Sequence, residues 1–139
     1  MEWRRAEYLI STDPARLDRQ AIWQFLRTSY WWHDDAPLES VEKAIDNSPL
    51  VFGLYHSAGQ AGFARVVTDR SRFGWLADVF VLDPHRGRGL GVWLVQTVLE
   101  HPELRGIRMV LGTADAHGLY ERFGFRPVDQ ARMMERPGR

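Results

Sequence analysis

Apolar positions along the chain recur at two spacings, one typical of helices and one typical of strands. In the first half, helical spacing predicts a helix over residues 14–29, with Asp13 as its cap and Pro14 as its first residue. A second helix is predicted over residues 38–46, after Pro37. Strands are predicted from Trp3 to Ile10, from Leu50 to Tyr55 and from Ala61 to Thr68, the last two joined by a hairpin turn over residues 56–60.

The second half continues the alternation of strands and helices. The pattern predicts an apolar strand from Trp75 to Leu82, a helix from Gly89 to His101, a strand from Arg108 to Gly112, a helix from Ala116 to Phe123 and a closing strand from Pro127 to Glu135. This order predicts an α/β or α+β domain whose sheet lies between helical layers. Because no linker or repeat interrupts the pattern, we expect residues 1–139 to form a single domain.

Composition narrows the function classes. The chain has 139 residues, 45% of them apolar and 26% charged, as expected of an ordinary globular domain. Its formal net charge of zero argues against a nucleic-acid partner, which usually requires a surplus of basic residues. The absence of cysteine excludes disulfides, thiolate nucleophiles and cysteine-ligated metals. Neither a membrane span nor a signal-like apolar run is found, so we expect a cytoplasmic protein without membrane contact.

The most informative segment connects the apolar strand to the long helix. After Asp83-Pro84-His85, the run Arg86-Gly87-Arg88-Gly89-Leu90-Gly91 opens the helix. Glycines allow the backbone to approach a ligand closely, and the free N–H groups at a helix start attract anions. The two arginines add positive charge. The segment therefore predicts a phosphate or pyrophosphate site, against the alternative of a plain helix-entry turn.

Two familiar phosphate motifs do not fit this loop. The dinucleotide fingerprint requires Gly or Ala where this chain has Val92, and no nucleotide P-loop sequence occurs. The run from Arg86 to Gly91 instead matches Arg/Gln-x-x-Gly-x-Gly/Ala, the pyrophosphate loop of GNAT-type N-acetyltransferases. The later run Leu119-Tyr120-Glu121-Arg122-Phe123-Gly124-Phe125 resembles the second signature of that superfamily. Through these two motifs, the segment from about Trp75 to Phe125 resembles a small GNAT domain.

The resemblance implies a fold, a reaction and a cosubstrate. The implied fold is a mixed, mostly antiparallel central sheet flanked by helices. The implied reaction moves an acetyl group from acetyl-CoA directly to a primary amine of a small molecule, without a metal. Acetyl transfer of this kind needs a positioned donor, a polarised carbonyl, a neutral amine and a proton for the departing thiolate.

The resemblance also assigns roles to particular residues. The backbone amides of Arg86, Gly87, Arg88, Gly89, Leu90 and Gly91 would hold the pyrophosphate of CoA, and the strand backbone at Phe80, Val81 and Leu82 would pair with its pantetheine arm. Tyr120 is the candidate general acid, although it could also be a core aromatic residue. Thr113 stands where the family often has Asn, so Thr113 or Asp115 could supply that cofactor hydrogen bond. His117 lies one turn before Tyr120, where it could pack on the cofactor or relay a proton.

Asp78 is the single charge in the strand from Trp75 to Leu82. Strict alternation would place it on the same face as Leu76, Phe80 and Leu82. Two interpretations stay open at this point: Asp78 binds or deprotonates the amine, or it pairs with a buried arginine such as Arg65.

The run Tyr30-Trp31-Trp32 follows the first predicted helix, where the fold usually builds its acceptor site. These rings could line a pocket for an aromatic or cationic amine, because ring faces attract ammonium groups. They could equally be covered by the core or by a second copy in a homodimer. The following run His33-Asp34-Asp35 has no second ligand cluster at a recognised spacing, so no metal site is predicted.

Two other function classes remain as alternatives. The chain could bind acyl-CoA as a non-catalytic sensor, or it could acetylate protein or peptide amines. A sensor would bind CoA without turnover on any amine. A protein-directed enzyme would favour an open, charged groove, whereas the aromatic run favours a small site.

Overall fold

The computed structural model describes residues 1–29, 36–57 and 59–138 of the chain. The sheet of these residues has the strands β1 (Glu2–Arg5), β2 (Tyr8–Ser11), β3 (Leu50–His56), β4 (Gly59–Thr68), β5 (Phe73–Val81) and β6 (Arg108–Val110). The α-helices are α1 (Arg19–Leu26), α2 (Leu38–Asp46), α3 (Leu90–Glu100) and α4 (His117–Glu121). Most predicted elements from residue 38 to residue 123 are therefore confirmed, with small differences at their ends.

The strands stand in the sheet in the same order as in the chain. Strands β1 to β5 are antiparallel neighbours, and β5 and β6 are parallel. Parallel neighbours need a long crossover connection, which α3 supplies here. The predicted mixed, mostly antiparallel sheet flanked by helices is confirmed.

Two clusters of buried side chains show which helices cover which face of the sheet. The α3-side cluster packs Leu94 of α3 against Phe52 of β3. The α1–α2-side cluster packs Ile22 of α1 against Val51, the neighbour of Phe52 in β3. Successive strand residues point to opposite faces, so the two clusters lie on the two sides of one sheet. Full burial of such side chains stabilises the fold by about 1.5–3 kcal/mol each.

A tight hairpin replaces the single strand predicted from Trp3 to Ile10. Strands β1 and β2 pair antiparallel with Arg5 opposite Tyr8, so two residues reverse the chain. Ala6 takes a left-handed φ of 52° in this turn, which costs a residue with a Cβ about 1–2 kcal/mol. The prediction was wrong because no Gly, Asn or Pro marks the reversal in the sequence.

The helix predicted over residues 14–29 consists of two shorter pieces. Asp13 caps the first, a 3-10 turn over Pro14–Arg16, so the predicted start is confirmed. Leu17 then takes an extended conformation with ψ 134°. Helix α1 begins only after Asp18, whose carboxylate accepts a backbone N–H of the new first turn. The second acidic cap offers the chain a fresh helix start, which the apolar spacing alone does not reveal.

The closing strand predicted from Pro127 to Glu135 is wrong. These residues form no strand within the described part of the chain, and they are exposed. Asp129 accepts the N–H of Ala131 at 3.0 Å through its side chain, and its C=O accepts the N–H of Arg132. Such local bonds favour a turn over a sheet ladder.

Candidate active site

Strands β5 and β6 separate after their first residues, and this separation opens the candidate site. Only Phe73, Gly74 and Trp75 of β5 have partners in β6, whereas β5 continues to Val81. Two cavities lie along the separated part. The loop-side cavity, about 800 Å³, is lined by the end of β5, the loop over residues 83–91 and α4. The β6-side cavity, about 690 Å³, is lined by the middle of β5 and by residues 111–116.

The loop after β5 exposes the start of α3. Gly87 and Gly89 have φ values of 79° and 74°, the left-handed conformation that glycine adopts without a steric cost. Gly89 is the residue before α3, and no side chain of the described residues caps the helix there. The first N–H groups of a helix have no acceptor within the helix, so they are left for an anion.

Gly91 provides a test of whether a phosphate group fits this loop. Its φ is not left-handed, so the backbone conformation does not require glycine. A Cβ at Gly91 would meet none of the described atoms within 4 Å, so packing within the chain does not require glycine either. The space above the Gly91 backbone is therefore open, and a phosphate group could approach the N–H groups there without meeting a side chain. The loop therefore fits the pyrophosphate group of CoA.

The two loop arginines are half-exposed and already hold local partners. Arg86 donates to the Val81 C=O at 3.0 Å and pairs with Asp83 at 2.8 Å. Arg88 lies 3.7 Å from Glu7 of the β1–β2 turn. These contacts fix the loop against the sheet and keep two cations beside the exposed helix start.

Backbone direction at the end of β5 decides which atoms face the loop-side cavity. The Leu82 N–H donates to the Ala61 C=O of β4 at 2.8 Å, so it points into the sheet. Backbone groups alternate in direction along a strand, so Phe80 also faces β4 while Val81 faces away. The contact of Arg86 with the Val81 C=O shows the same direction. Of Phe80, Val81 and Leu82, for which the sequence predicts pairing with a pantetheine arm, only Val81 directs its backbone groups away from β4. The pairing itself stays a prediction.

The side chain of Phe80 still belongs to the rim of the loop-side cavity. It stacks on Phe25 of α1 with 4.0 Å between ring centroids and 16° between ring planes. Both rings line this cavity. The α1 contribution was missed in the sequence because Phe25 fits the helical spacing of a core residue.

Tyr120 lies on α4 at the junction of the two cavities. Its side chain is buried, and it lines both cavities together with Val79, Asp115 and Ala116. Gly124 has a φ of 88° and turns the chain back after α4, so that the Phe125 N–H donates to the Tyr120 C=O at 3.3 Å. This helix-ending turn places the Phe125 ring edge-on to Tyr120, 5.7 Å away. The Gly-Phe signature thus holds the tyrosine in place.

Two other predicted residues flank α4. Thr113 lines the β6-side cavity, and its hydroxyl accepts the Ala116 N–H at 3.0 Å before the helix begins. His117 is exposed as the first residue of α4 and lines neither cavity. A cofactor hydrogen bond from Thr113 stays a prediction, and so does cofactor packing by His117.

Asp78 pairs with Arg65, which is one of the two interpretations that the sequence left open. The Arg65 Nε donates to Asp78 at 2.5 Å, and the two side chains are 15% and 3% exposed. Asp78 has a φ of 53°, and the β4–β5 register shifts between Phe63 and Arg65. This bulge reverses the alternation of β5.

The bulge corrects the predicted face of Asp78. Leu76 lies in the α3-side cluster and Phe80 in the α1–α2-side cluster, so the expectation that both share one face with Asp78 and Leu82 was wrong. A sequence pattern carries no sign of an extra residue in one strand, because the bulge depends on the pairing with β4.

A group of aromatic and charged residues packs behind the loop. Tyr8 of β2 hydrogen-bonds through its hydroxyl to His85 Nδ1 at 2.8 Å. The His56 ring lies 5.3 Å from that of His85, and His56 is 3.2 Å from Glu7. Burial, with the nearby His56 and Arg88 adding to it, lowers the pKa of His85, against a smaller opposing effect of Glu7. Tyr8 and His56 were missed because they are distant from the loop in sequence.

The remaining predictions concern the aromatic run and two absences. Tyr30, Trp31 and Trp32, and the run His33-Asp34-Asp35 after them, lie outside the described residues. Within the described residues, no group of three or more His, Asp or Glu side chains could hold a metal ion. None of the helices in this part of the chain is long and apolar enough to cross a membrane.

Comparison with known proteins agrees with this geometry. The family model described as "Acetyltransferase (GNAT) family" matches residues 8–125. A Gibberella zeae protein named "Putative acetyltransferase FG08082" is 35% identical over 85% of this chain and 78% of its own length.

Solved structures give the same result. A crystal structure from Xanthomonas campestris pv. campestris, titled as a putative acetyltransferase of the GNAT family, has a TM-score of 0.88 and 44% identity, and covers 94% of this chain and 93% of its own. N-acetylglutamate synthase from Neisseria gonorrhoeae, solved with CoA and L-arginine, has a TM-score of 0.71 at 18% identity, over 94% of this chain and 30% of its own. At 18% identity, the similarity to N-acetylglutamate synthase shows a shared fold only.

The mixed sheet with its flanking helices has the fold of an acyltransferase. The chain belongs to the GNAT family of acetyltransferases, whose members use acetyl-CoA. The family match ends at residue 125, before the segment in which the predicted closing strand is absent.

Proposed function

We propose that this protein transfers an acetyl group from acetyl-CoA directly to a primary amine of a small molecule. The observation that carries the proposal is the position of Tyr120, which lines both the loop-side and the β6-side cavity. A donor in one cavity and an acceptor in the other would meet at this residue. Bringing two reactants together in this way removes much of the entropic barrier to their reaction.

The loop-side cavity would hold the cosubstrate. Acetyl-CoA supplies the acetyl group as an activated thioester. The N–H groups of the loop from Arg86 to Gly91 would bind its pyrophosphate, and the outward-facing backbone of Val81 would orient its arm. Tyr120 would donate its hydroxyl proton to the sulfur as the C–S bond breaks and the thiolate departs, and the proton lost by the attacking amine would return to the tyrosinate or pass to water.

The β6-side cavity would hold the acceptor. Its volume of about 690 Å³ lies within the usual range for small-molecule sites, roughly 300–1,000 Å³. Asp115 lies at the junction and is exposed, while the charge of Asp78 is balanced by Arg65. The net charge of these three side chains is negative, which favours a cationic amine over an acidic acceptor.

The aromatic run extends the acceptor proposal. On the sequence alone, Tyr30, Trp31 and Trp32 would line the acceptor site and select an apolar or cationic amine. Trp32→Ala would then raise the KM of the amine while the affinity for acetyl-CoA and the melting temperature stay close to wild type. A loss of several kcal/mol in stability, about 3–5 for a buried tryptophan, would instead indicate a core role. A shift in sedimentation with unchanged kinetics would indicate a homodimer contact.

One experiment separates this function from its alternatives. Thiol release from acetyl-CoA is measured with a panel of arylalkylamines, polyamines, amino acids and N-terminal peptides, and CoA binding is measured in parallel by calorimetry. We expect saturable thiol release with at least one small amine and the matching acetylated product by mass spectrometry. Turnover with peptides alone would support a protein-directed enzyme. CoA binding without turnover on any amine would support a sensor, and either result contradicts the proposal.

A further inference from the structure

Asp78 occupies a conformation that its residue type disfavours. A φ of 53° is left-handed, and Asp78 takes it in the interior of β5 rather than in a turn. Left-handed residues with a Cβ persist only where the surroundings hold them, and they concentrate at functional sites. Here the kinked residue is followed directly by Val79, which lines both cavities.

The contacts of Arg65 explain how the kink is held. Arg65 lies on β4 opposite Ala77, and it reaches Asp78 through Nε at 2.5 Å and the Ser48 hydroxyl through Nη1 at 3.2 Å. Ser48 in turn donates to the Ala44 C=O of α2 at 2.6 Å. The chain of bonds therefore ties the kink of β5 to its neighbouring strand and to a helix.

A gain in stability does not by itself explain why Arg65 and Asp78 form a buried ion pair. Removing two charges from water is costly, and apolar replacements of buried ion pairs are often neutral or stabilising. The best-attested reason to retain such a pair is that it specifies one conformation among several. The conformation specified here is the bulge that reverses the alternation of β5 between Leu76 and Phe80.

We propose that Arg65 and Asp78 form a positioning pair that holds the kink of β5 and thereby directs the strand edge from Val79 to Val81 along the junction of the two cavities. This inference rests on the proposed function, because it concerns the alignment of the thioester with the acceptor. Asp78 acts through the backbone that it shapes, not as a base. For turnover, the left-handed φ of Asp78 therefore matters more than any chemical role of its carboxylate.

The test uses two double variants that differ by a single methyl group at residue 78. Arg65→Met/Asp78→Gly and Arg65→Met/Asp78→Ala both remove the buried charges, so neither leaves an unpaired ion. Only glycine adopts the left-handed conformation freely. We expect kcat to be about 10-fold higher in the glycine variant than in the alanine variant. This ratio corresponds to the free-energy cost that a Cβ adds to a residue in the left-handed conformation. The KM for acetyl-CoA should change less than kcat.

Two results would overturn the positioning role. Equal and wild-type-like kcat in both variants would show that the pair only stabilises the fold. Equal and very low kcat in both, with loss of one limb of the pH–rate profile, would show that Asp78 acts chemically as a base.

A measurement without any substrate keeps the test independent of the proposed function. Backbone chemical shifts of residue 78 and of Val79 to Val81 are recorded for both variants in the absence of CoA. We expect left-handed shifts to persist with glycine and to disappear with alanine. Persistence in both contradicts the positioning pair, even if the wild-type protein proved unable to transfer an acetyl group. If the alanine variant does not fold, Arg65→Met/Asp78→Asn replaces it, because asparagine also removes the charge and keeps a Cβ, and its kcat should again lie below that of the glycine variant.

Discussion

The two ends of β5 differ in how they are paired. At its beginning, Gly74 and Trp75 have partners in both β4 and β6. At its end, Val81 pairs with Gly62 of β4 and faces the loop-side cavity on the other side. The closed end is therefore a part of the sheet, and the open end is a part of the candidate site.

Because of this difference, we expect substitutions at the two ends of β5 to affect different properties, namely stability at the closed end and activity at the open end. The closed end is hydrogen-bonded to a strand on each side, so we expect substitutions at its buried position, Gly74, to lower the free energy of unfolding. Groups at the open end face a cavity, so we expect substitutions there to change binding or turnover with little effect on folding. Four predictions test this separation.

The largest expected effect is that of Tyr120→Phe at the open end. Loss of the hydroxyl should lower kcat by about 10²–10⁴-fold, the usual contribution of a positioned acid. The affinity for CoA and the packing of the ring on Phe125 should persist, because both depend on atoms that phenylalanine keeps. Steady-state kinetics, calorimetry and thermal melting measure the three quantities. Wild-type turnover in this variant would show that water or another residue protonates the departing thiolate.

Gly89→Glu should weaken CoA binding most strongly. Glutamate places a negative charge beside the bound pyrophosphate, and like-charge contacts cost several kcal/mol, so we expect about 100-fold weaker binding than in Gly89→Gln. The glutamine variant is the matched control, because it has the same size and suffers the same strain at φ 74°. Calorimetry with CoA gives the ratio. Equal CoA affinity in the two variants would show that the pyrophosphate does not bind at this loop.

The closed end is tested by Gly74→Ala. A Cβ there would lie 2.4 Å from the Met109 Sδ of β6, so this flexible side chain must shift, and we expect the free energy of unfolding to fall by about 1 kcal/mol at most. Kinetic constants should stay near wild type. In a Met109→Ala background the same change should cost little, so the double-mutant cycle should show a coupling energy between the two positions.

Gly112→Ala is the control for this stability effect. Its Cβ would meet none of the described atoms within 4 Å, so the free energy of unfolding should change little. Equal destabilisation by Gly74→Ala and Gly112→Ala in urea unfolding would contradict tight packing at the closed end.

The smallest predicted effect is a pH dependence of CoA affinity. In the free protein, burial together with the nearby His56 and Arg88 lowers the pKa of His85 from its ordinary value of 6.5. Negative phosphate groups beside His85 would raise that pKa, so binding would take up a proton. Affinity should therefore increase as the pH falls toward the lowered pKa of His85 in the free protein and level off below it, and this slope should be flatter in His85→Gln. An identical pH dependence of CoA affinity in both proteins would show that His85 does not interact with the bound anion.

The same two ends show what could be predicted from the sequence. The glycine loop before α3 was predictable because left-handed backbone conformations favour glycine, and Gly87 and Gly89 take them. Tyr120 was predictable through its Gly-Phe turn. Both features depend on residues close together in the chain, and the family match agrees with them.

Features that depend on strand pairing were not predictable in the same way. The kink at Asp78 comes from an extra residue opposite β4, and the hydrogen bond from Tyr8 to His85 joins residues 77 positions apart. Alternation also failed at Ala6, where a left-handed alanine turns the chain without a turn signal. The first two features depend on contacts between residues that are distant in the chain, and the turn at Ala6 is local but contains no typical turn residue.

The order of the strands has a consequence for how the protein folds. Strands β1 to β5 each pair with a neighbour along the chain, although residues 12–49 separate β2 from β3. The β5–β6 pair joins residues separated by the whole of α3, so its loop-closure cost is larger than that of the β3–β4 and β4–β5 hairpins. Because β6 is also a strand of three residues at the edge of the sheet, we expect it to open early in hydrogen exchange. Since the two cavities lie at this junction, a ligand bound there would slow the opening and raise the apparent stability with its concentration.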